Sequence, residues 1–373
     1  MKNPISLLFL SIILSFHISA SSQSNRQRIR EMGIVVGTQE TGKMNSITDV
    51  EGVLVGHKTI IKGDHIRTGV TCILPHSGNI FQEKVPAAIF VYNGFGKLAG
   101  YTQVSELGNM ETPIILTNTL CVPKAADALI RYTLDQPGNE QVRSCNPVVG
   151  ETNDGYLNDI RGMHIENEDV YSAIRNAEAG PVSEGSVGAG TGTSALGFKG
   201  GIGTSSRVMP SIDGTKYTVG VLVQSNFGRE LVLNGVKIPR RNNPEENKKE
   251  EEGSCMIVIA TDAPLSCRNL ERLAERAFTG MGRTTTHMSN ASGDYAIAFT
   301  TAYTIPHQRE FSTIENPPLL GNSAMTLLFQ AAEEATQEAI YNSLFMATTI
   351  TGNNGHTMHE IDLDRIRKLF NIK

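Results

Sequence analysis

Across residues 242–260 the chain changes character at one pair of residues. Residues 242–252 are polar and charged, interrupted only by Pro244. Cys255-Met256-Ile257-Val258-Ile259-Ala260 is then an unbroken apolar run rich in β-branched residues, the pattern of a strand buried on both faces. Gly253-Ser254 is the junction. A fold that accepts this sequence must leave the charged stretch in solvent, bury the strand, and hold a small hydroxyl residue at the boundary. Two readings fit that position. Gly and Ser are turn residues, so the pair suits the end of a surface loop. It also suits a bond the chain cuts itself, leaving Ser254 as a catalytic N-terminal residue.

The chain has 373 residues, enough to bury a sizeable core in one large domain or two or three smaller ones. Its 39% hydrophobic content, with 36 Gly and no Trp, describes a soluble globular protein rich in turns. A net charge of −5 offers no basic footprint for nucleic acid. Residues 1–22 have the layout of a signal peptide: Lys2 is the positive start, Ile5-Ser6-Leu7-Leu8-Phe9-Leu10-Ser11-Ile12-Ile13-Leu14 the apolar centre, and Ser19-Ala20 the small cleavage residues. That run is shorter than the ~20 residues a spanning helix needs, which argues against a stable membrane anchor. The mature chain is expected to begin near Ser21 or Gln23 and to work outside the cytoplasm, periplasmic or secreted. Cys72, Cys121, Cys145, Cys255 and Cys267 are odd in number and widely spaced, without a CxxC pair. They make neither a disulfide scaffold nor a zinc motif; buried thiols, with at most one or two bridges, are the expectation.

Residues 26–33 read as a short polar lead-in. Short apolar runs punctuated by Gly, Asp and Asn follow, and residues 53–57, 70–74, 87–92, 113–117 and 147–150 read as strands. Pro123 opens a helix, a position that suits a first turn. Residues 151–159 form a polar loop with one aromatic, Tyr156, which fits ordinary turn chemistry. Residues 170–179 read as a helix. Residues 180–206 are Gly-rich, but Gly188-Ala189-Gly190-Thr191-Gly192-Thr193 has neither a P-loop ending nor a GxGxxG spacing. Close backbone approach and tight turns around a cleft are the expectation there. Residues 217–225 and 296–300 read as strands, and residues 270–278, 323–345 and 362–370 as helices. The fold class is therefore α+β or layered α/β.

The chemistry at Gly253-Ser254 can be stated atom by atom. Ser254 Oγ attacks the Gly253 carbonyl, the amide becomes an ester, and water hydrolyses it. Without a Cβ, Gly253 can take up the strained conformations that expose its carbonyl. The freed Ser254 then carries a hydroxyl and an α-amine with a reference pKa of ~7.7–8.0, so that the residue supplies its own base.

From Ile34 to about Ile361 the sequence resembles the L-aminopeptidase/D-esterase family, which includes the β-peptidyl aminopeptidases. The matching pieces are Asn45-Ser46-Ile47-Thr48-Asp49-Val50-Glu51-Gly52-Val53-Leu54-Val55-Gly56-His57, Arg67-Thr68-Gly69-Val70-Thr71 and Leu116-Thr117-Asn118-Thr119-Leu120. Residues 151–162 and 221–228, Gly253-Ser254 with Ala260-Thr261-Asp262-Ala263-Pro264, Ser292-Gly293-Asp294, and Thr351-Gly352-Asn353-Asn354-Gly355-His356-Thr357 complete the set in order. The resemblance implies a four-layered αββα sandwich, of the type shared with self-cleaving ornithine acetyltransferases. It implies cleavage before Ser254 into a larger subunit, residues 23–253, and a smaller one, residues 254–373, which stay together as one αββα unit and assemble as a tetramer of heterodimers. It implies a serine aminopeptidase acting on short peptides, amides or esters, with no cofactor and no metal. The roles it implies are Ser254 as nucleophile, Asn226 as donor to the oxyanion, and Ser292 bonded to the Ser254 amine or hydroxyl. Asp294 would orient that relay, and Tyr156 would line the cleft and help hold the oxyanion or substrate. Where this chain has Asp294 some β-peptidyl enzymes carry Glu, which leaves the preferred N-terminal residue open. Cys255, next to the nucleophile, is expected on the opposite face of the strand.

Two other functions fit parts of the pattern. A self-cleaving acyltransferase of the ornithine acetyltransferase type would share the processing chemistry, but those enzymes use Thr where this chain has Ser254. A non-catalytic ligand-binding protein could use the Gly-rich run to frame a cleft. His356 and His359 are close enough in sequence to share a metal, but no third ligand motif accompanies them, and loop histidines are the expectation.

Overall fold

A computed structural model describes residues 26–210, 214–228, 230–240, 253–284, 287–308 and 317–372. The proposed signal peptide and the charged stretch at residues 242–252 lie outside the described residues.

Nine longer strands carry the fold: β1 (Leu54–Lys62), β2 (Ile66–Leu74), β3 (Glu83–Gly94), β4 (Ile114–Asn118), β5 (Val148–Thr152), β6 (Gly201–Val208), β7 (Thr218–Asn226), β8 (Gly253–Thr261) and β9 (Ser292–Thr300). Four helices cover them: α1 (Val122–Leu134), α2 (Asn167–Arg175), α3 (Cys267–Gly282) and α4 (Met325–Phe345). One sheet has the order β1-β2-β4-β5. The other runs β3-β9-β8-β7-β6, with the short pieces Ile305–Pro306 and Asn109–Met110 paired to β3. β8 and β9 are parallel at its centre, and their neighbours are antiparallel.

Strand alternation explains the layering. On β8, Met256, Val258 and Ala260 join Val55, Ile73, Leu116 and Val148 of the first sheet in a core between the sheets. Cys255, Ile257 and Ile259 point the other way, into a core with Leu270, Leu273 and Ala277 of α3 and Ala335 and Ala339 of α4. Ala125 and Leu129 of α1 and Val170 and Ala173 of α2 pack on the outer face of the first sheet. The architecture is a four-layered αββα sandwich. The continuous apolar run of β8 follows from its central place, with a layer on each face.

Several boundaries differ from the sequence reading. The helix expected at residues 170–179 is α2, which starts earlier and ends at Arg175, capped by Asn176. β9 begins at Ser292 rather than Ala296, because Ser292-Gly293-Asp294 pairs with β8 although it carries no apolar signal. β6 begins inside the Gly-rich run and ends just past it, and its polar Thr204, Ser205, Ser206 and Arg207 are all buried. Close backbone approach is confirmed there: a Cβ on Gly203 would stand 2.0 Å from the Ala339 carbonyl oxygen of α4. Residues 26–33 are an anchor and not a plain polar lead-in. Arg26 donates to the Phe345 and Ile361 carbonyls at 2.7 and 2.9 Å, and Ile29 is buried. All five cysteines are free; Cys72, Cys121 and Cys255 are buried as expected, whereas Cys145 is half-buried and Cys267 is exposed at the start of α3. Among the described residues, no helix is long and apolar enough to cross a membrane.

Candidate active site

The register of three strands gathers the candidate residues at one end of the larger sheet. Asn226, last on β7, is the antiparallel partner of Ser254. On the other side of β8, Gly253 pairs with Ser292, Ser254 with Gly293, and Cys255 with Asp294. Directly paired residues share a face, so Ser254 and Asn226 point between the sheets. Ser254 is 4% exposed. Its Oγ accepts a hydrogen bond from the Asn153 backbone N–H at 3.3 Å, just beyond the end of β5. The first sheet therefore closes the site from above.

Asn226 is fixed by a bond to its own oxygen. The Ser194 N–H donates to Asn226 Oδ1 at 3.0 Å. With the acceptor engaged, the two Nδ2 donors are the groups left for a developing negative charge.

Asp294 lies on the helix-side face with Cys255, not on the face of Ser254. Asn93 Nδ2 donates to Asp294 Oδ2 at 3.1 Å and also to the Met288 carbonyl at 2.7 Å. Asp294 Oδ1 is buried without a hydrogen-bond partner among the described residues. Burial raises the Asp294 carboxyl above the usual range, although the nearby Ser292 and Asn93 side chains favour its charged form. The Cys255 thiol is pushed well up by burial and then by the Asp294 carboxylate. Cys255 is fully buried and faces away from Ser254, as its alternation predicts.

Tyr156 is in the loop after β5, where the Leu157 and Asn158 N–H groups both donate to the Asp154 carbonyl. Its ring stacks on His356 at 4.4 Å with an interplanar angle of 4°. His356 Nδ1 donates to the Tyr156 carbonyl at 2.9 Å. The C-terminal motif thus supports the loop that carries Asn153 to Ser254. His356 and His359 are loop residues, and no group of three potential metal ligands occurs among the described residues.

Sequence reasoning missed the Asn153 and Ser194 N–H groups, which have no side-chain signature. It also passed over Asn93, Asp154 and Lys199. Lys199 is fully buried, and burial pulls its ammonium down to about 7. Burial pushes the Asp154 carboxyl up to about 7.

The profile described as Peptidase family S58 matches residues 45–358. Beta-peptidyl aminopeptidases BapA of Sphingosinicella microcystinivorans and Sphingosinicella xenopeptidilytica are 37% and 38% identical, aligned over 97% and 98% of this chain and 96% of each relative. The PH0078 protein of Pyrococcus horikoshii OT3 superposes with a TM-score of 0.86 at 46% identity, covering 92% of this chain and 99% of that one. The L-aminopeptidase D-Ala-esterase/amidase of Ochrobactrum anthropi, described as a prototype for the serine aminopeptidases and a variant of the Ntn-hydrolase fold, gives 0.86 at 35% identity, over 92% and 98%. With a hydroxyl and an amide donor meeting across one strand pair, and this likeness running the length of the chain, the protein is a peptidase and belongs to peptidase family S58.

Proposed function

We propose that this protein is an exported serine aminopeptidase that activates itself by cutting the Gly253–Ser254 bond. The observation that carries the reading is the β7-β8-β9 register, with Asn226 opposite Ser254 and Ser292 opposite Gly253. In self-cleavage Ser254 Oγ adds to the Gly253 carbonyl, the C–N bond breaks, and the Ser254 nitrogen leaves as the amine. Water then hydrolyses the ester, returning the hydroxyl and a Gly253 carboxylate. The larger subunit is residues 23–253, after loss of the signal peptide at residues 1–22, and the smaller is residues 254–373.

In peptide hydrolysis the freed amine takes the Oγ proton as Ser254 attacks the substrate carbonyl. Asn226 Nδ2 donates to the oxyanion of the tetrahedral intermediate. Ser292, the strand partner of Gly253, bonds the Ser254 amine or hydroxyl, and Asp294, on the same strand face as Ser292, orients that relay. Tyr156 lines the cleft. The acyl-enzyme is released by water. The names of the relatives favour short peptides, amides or esters cut after the N-terminal residue, including β-peptides. Cleaved heterodimers are expected to assemble as a tetramer.

Denaturing electrophoresis of the mature protein should resolve two pieces, the smaller beginning Ser-Cys-Met-Ile-Val. Ser254→Ala should run as one uncut chain and hydrolyse no aminoacyl p-nitroanilide. A single intact chain with full activity would sink the proposal.

A further inference from the structure

Among the described residues the Asn226 side chain takes one hydrogen bond, from the Ser194 N–H, and the hairpin that delivers this donor is unusual. Ser194 pairs with Lys199, and Ala195 with Phe198. The two residues between, Leu196 and Gly197, have φ of +53° and +84°, the left-handed pair of a type I′ turn. A leucine rarely adopts that conformation and keeps it only where its surroundings over-determine it. Here Leu196 is buried, and its N–H donates to the Phe227 carbonyl at 2.7 Å. The hairpin thereby clasps the chain just after β7, with Ser194 aimed at Asn226.

Lys199 holds the hairpin's other strand. Its backbone N–H donates to the His359 carbonyl at 2.7 Å. Its Nζ donates to the carbonyls of Gly190 at 2.8 Å and Gly200 at 2.7 Å, one before the hairpin and one after it. Asp154 flanks the segment just before the hairpin, since a Cβ on Gly192 would stand 2.9 Å from Asp154 Cβ. A buried ammonium is expensive, and an apolar side chain would fill the space at lower cost. What the ammonium adds is a grip on two carbonyls that fixes both ends of the hairpin.

We propose that Lys199 is a positioning residue for the reaction: it locks the Ser194–Lys199 hairpin so that the Ser194 N–H orients Asn226 toward the oxyanion. The proposal rests on the reading of Asn226 as the oxyanion donor. The test is a double-mutant cycle of Lys199→Met and Asn226→Ala, with aminoacyl p-nitroanilide hydrolysis normalised to the cleaved fraction. The rate of self-cleavage serves as a second readout. Asn226→Ala should lower kcat by about 10²–10³. Lys199→Met should lower kcat by about 10–100-fold, with KM changed by less than about threefold. The double variant should be no slower than Asn226→Ala, since Lys199 acts only through that amide.

A Lys199→Met effect that persists in the Asn226→Ala background would overturn the proposal, as would wild-type kcat in Lys199→Met. Full activity in Asn226→Ala would remove the donor reading, and the proposal with it. Should Lys199→Met fail to fold, Lys199→Gln enters the same cycle. Failure of both to fold would assign Lys199 to the scaffold alone.

Discussion

Asp154 shows how one side chain can set a pH dependence without touching the substrate. Its Oδ1 accepts from Asn158 Nδ2 at 3.0 Å, while Oδ2 is buried with no hydrogen-bond partner among the described residues. Burial raises the carboxyl from 3.8 to about 7. Below about 4 both folded and unfolded chains hold the proton, and the group is neutral to stability. Between about 4 and about 7 the unfolded chain releases it while the folded chain keeps it, so folded stability falls as pH rises. Above about 7 the penalty is constant. Glu184, raised to about 7 by burial, acts in the same direction, and His57, lowered to about 4, opposes both. Asp154→Asn should therefore raise the melting temperature at pH 7 relative to its value at pH 4.5, compared with the same difference in the wild type. Nothing local in Asn153-Asp154-Gly155-Tyr156 distinguishes this carboxylate from a turn residue; it is covered by chain distant in sequence, such as Gly192, where a Cβ would stand 2.9 Å from Asp154 Cβ.

Among the elements, β8 was the most legible, because a strand covered on both faces needs an unbroken apolar run. β9 was half legible. Its apolar part reads as a strand, but Ser292-Gly293-Asp294 extends it through pairing with β8 alone. β6 was not legible, since its polar side chains find partners only in the tertiary structure, as Arg207 does in Glu334 and Glu338. The start of β8 also carries a prediction. A Cβ on Gly253 would stand 2.8 Å from Phe227 Cα and 3.1 Å from the Asn226 carbonyl oxygen. Backbone there cannot yield without parting β7 from β8, so Gly253→Ala should displace Ser254 relative to Asn226. Self-cleavage should slow by about 10²-fold, read as the rate at which the intact band disappears.

For the whole molecule, the segment near the start of the described chain and the helix near its end are bound by buried charge. Arg207 on β6 contacts Glu338 at 2.7 Å and Glu334 at 3.2 Å, and Arg30 contacts Glu338 at 2.6 Å. Removing one member of such a cluster strands the others in low dielectric. Arg207→Met should cost about 3–5 kcal/mol, seen as a lower urea midpoint at unchanged m-value. Under the self-cleavage reading these contacts run between the two pieces, as does the β7–β8 ladder. The cut protein should therefore elute as one species on native size exclusion and separate into two only in denaturant. A smaller piece eluting alone from the native column would contradict this.

The sequence by itself determined the layered α+β class, the position of the central strand, and the family likeness that singles out Ser254, Asn226, Ser292 and Asp294. Those features survive in one dimension because periodicity and motif order are local properties of the chain. Only the tertiary structure decided that Asn226 faces Ser254 across a strand pair while Asp294 lies on the opposite face with Cys255. It alone showed Asn153 and Ser194 entering the site through backbone N–H groups, and a buried lysine holding the hairpin behind one of them. Register and backbone donors belong to the pairing of distant segments, and side-chain identity does not encode them.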